Sequence, residues 1–206
     1  MIGGVEEIVE LRGRANEADI FPANLRDRLR SATSPYHAEV DLGFSVLDLC
    51  TRSTLARFLA THGTALRAIR CRPGRRASAA EALRAEMIEA LDADLRHLGA
   101  QPADPILPVE ADATAVLYVL LGSQMGMRVL RKRWVTATDP AVAGAGRIFN
   151  LRLKPVAWQT LCAEMTGQAA GDEIADRVAE DACRVFEVYI RALANGAEGA
   201  LPGSGL

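Results

Sequence analysis

The chain is poor in most features that announce a function. Aromatic residues make up only 5% of its 206 residues, and no stretch alternates apolar and polar side chains, so a sheet-based fold is disfavoured. The three histidines are His37, His62 and His97, and none has the cysteine, histidine or carboxylate neighbours of a closed zinc site. Cys50, Cys71, Cys162 and Cys183 are scattered, with no CxxC pair. In a chain this long they read as reduced thiols packed as small hydrophobes, in a cytoplasmic protein. The longest apolar run, Ala115 to Leu121, falls far short of the ~18 residues of a membrane span and reads as a buried helix segment. The first ten residues are acidic and lack the apolar centre of a secretory leader. A net charge of −2 argues against a general nucleic-acid binder. No glycine-rich nucleotide or flavin motif is present.

What the chain has in abundance is alanine, leucine and arginine, all strong helix formers. Residues 1–20 read as a loosely ordered lead-in, 21–196 as one helical domain, and 197–206 as a small, polar tail. Leu25, Leu29, Ala32, Tyr36, Val40 and Leu47 recur at helical spacing, predicting one long helix or a kinked pair to about Cys50, with Pro35 starting or bending a helix. Thr51 and Ser53 are N-cap candidates for a helix through Leu55, Phe58 and Leu66. Ser78 to Glu81 has the form of a capping box before a helix that stops at Gly99. Prolines mark 100–110 as a loop. Asp112 caps a helix to about Trp134, Asp139–Pro140 starts another, and Pro155 opens a helix ending at Gly167. The last helix runs from about Asp172 to Asn195, with Gly196 as its stop. The class is all-α, with seven or eight helices. His62 and His97 read as surface residues.

Two segments carry chemistry. The first is Leu29-Arg-Ser-Ala-Thr-Ser-Pro-Tyr-His37-Ala-Glu-Val-Asp41, which places an imidazole on a helix. A neutral imidazole is a good iron ligand, whereas a lone histidine is more often a packed residue. Arg30 lies two turns before His37 on the same face. It is either a solvated arginine or a partner for an anionic group of a ligand held by His37. The second segment is Leu117-Tyr-Val-Leu-Leu-Gly122-Ser-Gln-Met-Gly126-Met-Arg-Val-Leu130. Gly122 and Gly126 share one helix face, and each costs about 1 kcal/mol relative to alanine. Close helix packing offsets that cost, or the close approach of a flat cofactor.

Together the two segments resemble the proximal and distal helices of the heme oxygenases, particularly the short bacterial biliverdin-forming type. The stretch from Leu91 through Asp94 to Gly99 also resembles that group. The resemblance implies an all-α, single-domain bundle with heme b between the two helices. It implies His37 as the iron ligand, with Gly122, Ser123 and Gly126 over the distal side and Ser123 anchoring a water. It places Arg30 and Lys154 as bases near the heme propionates, and Phe186 on the helix that closes the pocket, where plain core packing is the other reading. Two positions depart from the family pattern: Met127 stands where a second glycine is usual, and Leu121 where bacterial members often have an acid. Met127 is expected to crowd the distal space or approach iron as a sixth ligand.

The activity this resemblance implies is oxidative opening of heme to biliverdin, iron and carbon monoxide. Heme is substrate and oxygen-activating group at once, O2 the oxidant, and a ferredoxin or reductase the source of electrons. The resemblance also offers a bacterial phytochrome as acceptor of the product. Arg128, Arg131, Lys132 and Arg133 fall on the last turns of their helix, which either complements the helix dipole or docks an acidic electron donor. The rival readings are a heme-binding protein without turnover, a heme-free relative of the same helical superfold such as the thiaminase-like proteins, and a helical interaction module.

Overall fold

The computed structural model describes residues 22–198. The expected lead-in 1–20 and the tail beyond residue 198 lie outside the described residues. Among the described residues seven helices dominate: α1 Leu25–Ser45, α2 Arg52–Ala68, α3 Ala77–Leu98, α4 Ala113–Trp134, α5 Pro140–Gly144, α6 Pro155–Thr166 and α7 Glu173–Glu198. A short 3-10 turn covers Ile148–Asn150.

The helix ends follow local chemistry. Asn24 accepts a hydrogen bond from the Asp27 amide at 3.0 Å and starts α1, which continues through Pro35 to Ser45 as one helix rather than a pair. Asp112 accepts from Thr114 N at 2.7 Å and starts α4. Asp139 does the same for α5 through Ala141 N, with Pro140 at the first turn. Gly99 ends α3 in a left-handed conformation, φ 64°, which glycine adopts without steric cost.

Three expectations change. Two short strands, β1 Ile69–Cys71 and β2 Val109–Ala111, form a parallel ladder with Ile69 opposite Val109 and Cys71 opposite Ala111. The capping box at Ser78–Glu81 is not made: α3 begins at Ala77, and the Glu81 carboxylate accepts from Cys71 N and from Arg84. Gly196 does not stop the last helix, which runs on to Glu198. A Cβ at Gly196 would stand 2.7 Å from Thr61 Oγ1, so this glycine permits the close approach of α7 to α2.

The core is one connected cluster. α7 lies at its centre, packed against α1, α2, α4 and β2. It buries Val178, Ala182, Val185, Tyr189 and Ala192 along one face, at helical spacing. Asp181 on the same helix is 3% exposed. It accepts from Asp112 N at 2.9 Å and pairs with Arg72, so one carboxylate joins α7, the end of β1 and the start of α4. All four cysteines are free. Among the described residues α4 alone has the length and apolarity to cross a membrane, and half of its most apolar window is buried inside the fold.

Candidate functional site

The candidate site lies between α1 and α4. Near their N-terminal parts the Tyr118 hydroxyl lies beside Thr33, with Arg26 and Arg30 close enough to act on it electrostatically. Near their C-terminal ends Arg133 donates to the carbonyls of Ser45 (3.2 Å) and Leu47 (2.8 Å), and the Cys50 thiol donates to the carbonyl of Arg133. The two helices therefore run in the same direction, tied at both ends. Arg26, Arg30, Thr33 and His37 share one face of α1 by helical spacing, and Tyr118, Gly122, Val129 and Arg133 share one face of α4. Thr33 and Tyr118 approach each other from these two faces.

His37 is exposed on α1, its side chain 60% accessible. Its Nδ1 lies 3.0 Å from Asp41 Oδ2, one turn along the helix. Its ring meets the buried Phe186 of α7 edge to face, centroids 5.6 Å apart. With Nδ1–H donated to Asp41, the Nε2 lone pair is the one free for a metal. A carboxylate on the far nitrogen also fixes the tautomer and the ring orientation.

On α4 the glycine face is covered in part by Trp158 of α6, near Tyr118 and Gly122, and is open at Gly126. A Cβ at Gly126 would meet nothing within 4 Å among the described residues. At Gly122 it would first meet the edge of the Trp158 ring, at 3.9 Å. Tight helix packing therefore does not explain the pair. Trp158 of α6 also stacks loosely on Tyr118, centroids 5.7 Å apart. Burial, the main cause, pushes the Tyr118 phenol above its ordinary range, against the nearby Thr33 and arginines. Burial likewise raises the Cys162 thiol on α6, against an interaction with Arg26. The N-terminal end of the cleft thus combines two arginines with a tyrosine held neutral.

Of the expected residues the structure brings His37 and Phe186 into contact; Arg30 shares the His37 face of α1, and Gly122 and Gly126 share one face of α4. The structure does not bring in three other expected residues. Met127 is 7% exposed and points to the opposite side of α4, where it lines a cavity with Met87, Ile148 and Phe149. It neither crowds the glycine flank nor reaches toward His37. The exposed methionine nearest that flank is Met125, 47% accessible. Lys154 places its Nζ 2.8 Å from Glu86 Oε2 on α3 and its backbone N 3.2 Å from Gln124 Oε1, so it is drawn away from the cleft. Ser123 turns off the flank, its Oγ donating to the Leu120 carbonyl at 2.8 Å.

The histidines also divide differently from expectation. His97 is exposed, as its sequence context suggests. His62 is not a surface residue: it is 3% exposed, stacked among Phe44, Phe58 and Tyr189. Among the described residues neither ring nitrogen has a hydrogen-bond partner, and neither does the Tyr189 hydroxyl. Burial lowers the His62 pKa from 6.5 to about 4.

Sequence reasoning missed Asp41, Tyr118 and Trp158. The first two were within reach, because Asp41 is one turn after His37 and Tyr118 one turn before Gly122. Asp94 was noticed only as part of a stretch. It is fully buried and accepts from Arg147 N (2.9 Å) and Ile148 N (3.0 Å), which seats the turn behind α4. Desolvation raises its carboxyl pKa, against those two hydrogen bonds. No family model, no curated protein and no solved structure matches this chain.

Proposed function

We propose that the chain binds heme between α1 and α4 and opens it oxidatively to biliverdin, iron and carbon monoxide. The observation that carries this reading is the pairing of an imidazole anchored at Nδ1 by Asp41 with a helix flank stripped of side chains at Gly122 and Gly126. A flat macrocycle needs both: a donor on one side and backbone at close range on the other. Heme, when bound, supplies the oxygen-activating chemistry and is itself the substrate, with electrons from a ferredoxin or reductase.

The chain's residues have separate tasks in this reading. His37 offers Nε2 to iron while Asp41 holds the ring. Phe186 supports the imidazole from below. Arg26 and Arg30 provide positive charge at the Tyr118 end, suited to carboxylate groups. The bare backbone at Gly122 and Gly126 limits the space above the ring and leaves no strong side-chain acid there.

A heme-binding protein without turnover is the second reading, and Met125 is the observation that favours it. Its thioether stands exposed beside the glycine flank, within the class of groups that serve as a sixth iron ligand.

Hemin titration of the full chain tests the proposal. A saturable Soret band at one-to-one stoichiometry is expected, lost in His37→Ala and partly restored by added imidazole. Aerobic reduction should then replace the Soret band by verdoheme and biliverdin bands. A persistent heme spectrum selects binding without turnover. Absence of saturable hemin binding overturns the proposal and leaves the heme-free superfold relative or the interaction module.

A further inference from the structure

We infer a second binding site, on the opposite side of α4 from the glycine flank, for a small carboxylate with an apolar body. It stands on residues the heme reading does not use. A cavity of about 280 Å³ opens between α3, α4 and the segment 148–153. Its walls are apolar, with Met87, Met127, Ile148 and Phe149, and Arg128 and Arg131 bring two guanidinium groups to it. Arg131 is fixed in place by donating from Nε to Asn150 Oδ1 at 3.0 Å.

Gln124 supplies the specific requirement. It lines the cavity and is 6% exposed. Its Oε1 accepts from the backbone N–H of Lys154. A backbone amide only donates, so the orientation of the side-chain amide is settled, and Nε2 must be its other end. That Nε2 is buried without an acceptor among the described residues. What the site lacks is therefore an oxygen that accepts a hydrogen bond. The adjacent arginines favour one that carries negative charge. Nε2 is closed off from bulk water, so the guest reaches it by displacing the neighbouring methionine side chains, which are the most adaptable apolar walls.

Size restricts the guest further. At ~30 Å³ per water the cavity holds about nine water volumes, which suits a molecule of about ten non-hydrogen atoms. An arylacetate fits: its carboxylate sits between Gln124 Nε2 and the guanidinium groups, and its ring lies on Met87, Ile148 and Phe149.

The test uses the full chain labelled with 13C at its five methionine methyls. Phenylacetate is the probe, with neutral phenylacetamide and inorganic phosphate as controls. Saturable shifts of the Met87 and Met127 methyls are expected with phenylacetate, while Met125, on the other flank, stays unmoved. Phenylacetamide and phosphate should bind at least tenfold more weakly, since each lacks one of the two required features. Gln124→Leu should weaken phenylacetate at least tenfold. If that variant does not fold, the exposed pair Arg128→Ala and Arg131→Ala carries the same expectation. No saturable shift, an equal response to either control, or an affinity unchanged by these substitutions overturns the inference. Failure of hemin to bind leaves all of these outcomes as stated.

Discussion

His37 and Phe186 meet edge to face, with ring centroids 5.6 Å apart, although they come from the first and last helices. The contact fixes one side of an otherwise exposed imidazole, and Asp41 fixes its Nδ1. A ring held at both points has one free nitrogen and little freedom to turn.

Asp41→Ala should therefore weaken hemin binding without unfolding the chain, because the carboxylate is largely exposed. Loss of such an outer partner lowers metal affinity on the order of 10- to 100-fold. Soret titration and the resonance Raman iron–histidine stretch check this, and Asp41→Asn should recover part of the loss. An unchanged affinity would detach Asp41 from the site.

Substitution at Gly126 separates an open flank from a packed one. A Cβ there meets nothing among the described residues, so Gly126→Ala should stabilise the heme-free chain by about 1 kcal/mol through helix propensity. Gly126→Leu should leave the fold intact yet abolish hemin binding. Denaturant unfolding and Soret titration of both variants give the answer. A Gly126→Leu chain that fails to fold would show that the flank is covered.

Met127 should behave as core. Met127→Gly removes a buried side chain and adds a helix glycine, for a loss of roughly 3 kcal/mol or more. Met127→Leu should cost less than about 1.5 kcal/mol. Hemin affinity should be unchanged in Met127→Leu, because the side chain lies on the far side of α4. A faster heme turnover in Met127→Gly would return this residue to the cleft.

His62 should make stability depend on pH. Its pKa is about 4 in the folded chain and near 6.5 when unfolded. The unfolded state takes up the proton first, so stability is full above pH 6.5, falls as pH drops from there, and levels off below about 4. The total is about 3 kcal/mol. Urea unfolding at pH 7.5 and pH 4.5 should show the fall, and His62→Leu should remove most of it. Equal pH dependence in both proteins would place its origin elsewhere.

Several helix ends were legible because the terminal residue carries its own chemistry, although Asn24, which caps α1, was not read. Asp112, Asp139–Pro140, Gly99 and Pro155 each satisfy or release backbone groups locally. The β1–β2 ladder was not legible, because three-residue strands have no period and arise only when residues 69–71 and 109–111 meet. Glu81 misled for a related reason: its position fits a capping box, but Cys71 N and Arg84 compete for the carboxylate. Within the site, spacing told which residues share a face but not which face turns toward which neighbour. Gly122 with Gly126, and Arg30 with His37, needed only the first kind of information. Met127 needed the second, and so did Lys154, whose side chain follows Glu86. His62 shows the same limit: its own helix does not reveal that α7 lays Tyr189 over it.

Asp181 also has a consequence for how the chain is made. Its partners, Asp112 N and Arg72, leave a ribosome well before it does. Until α7 emerges, the start of α4 and the end of β1 lack their shared acceptor, and the helices around them have no central element to close on. The nascent chain therefore carries a nearly complete set of helices with an open middle, and its apolar faces stay available to chaperones or to neighbouring copies. Docking of the last helix is a single late event that joins contacts far apart in sequence, the kind that slows folding. Substitution of Asp181 should thus lower the yield of folded protein during synthesis more than it lowers the equilibrium stability of the chains that complete folding.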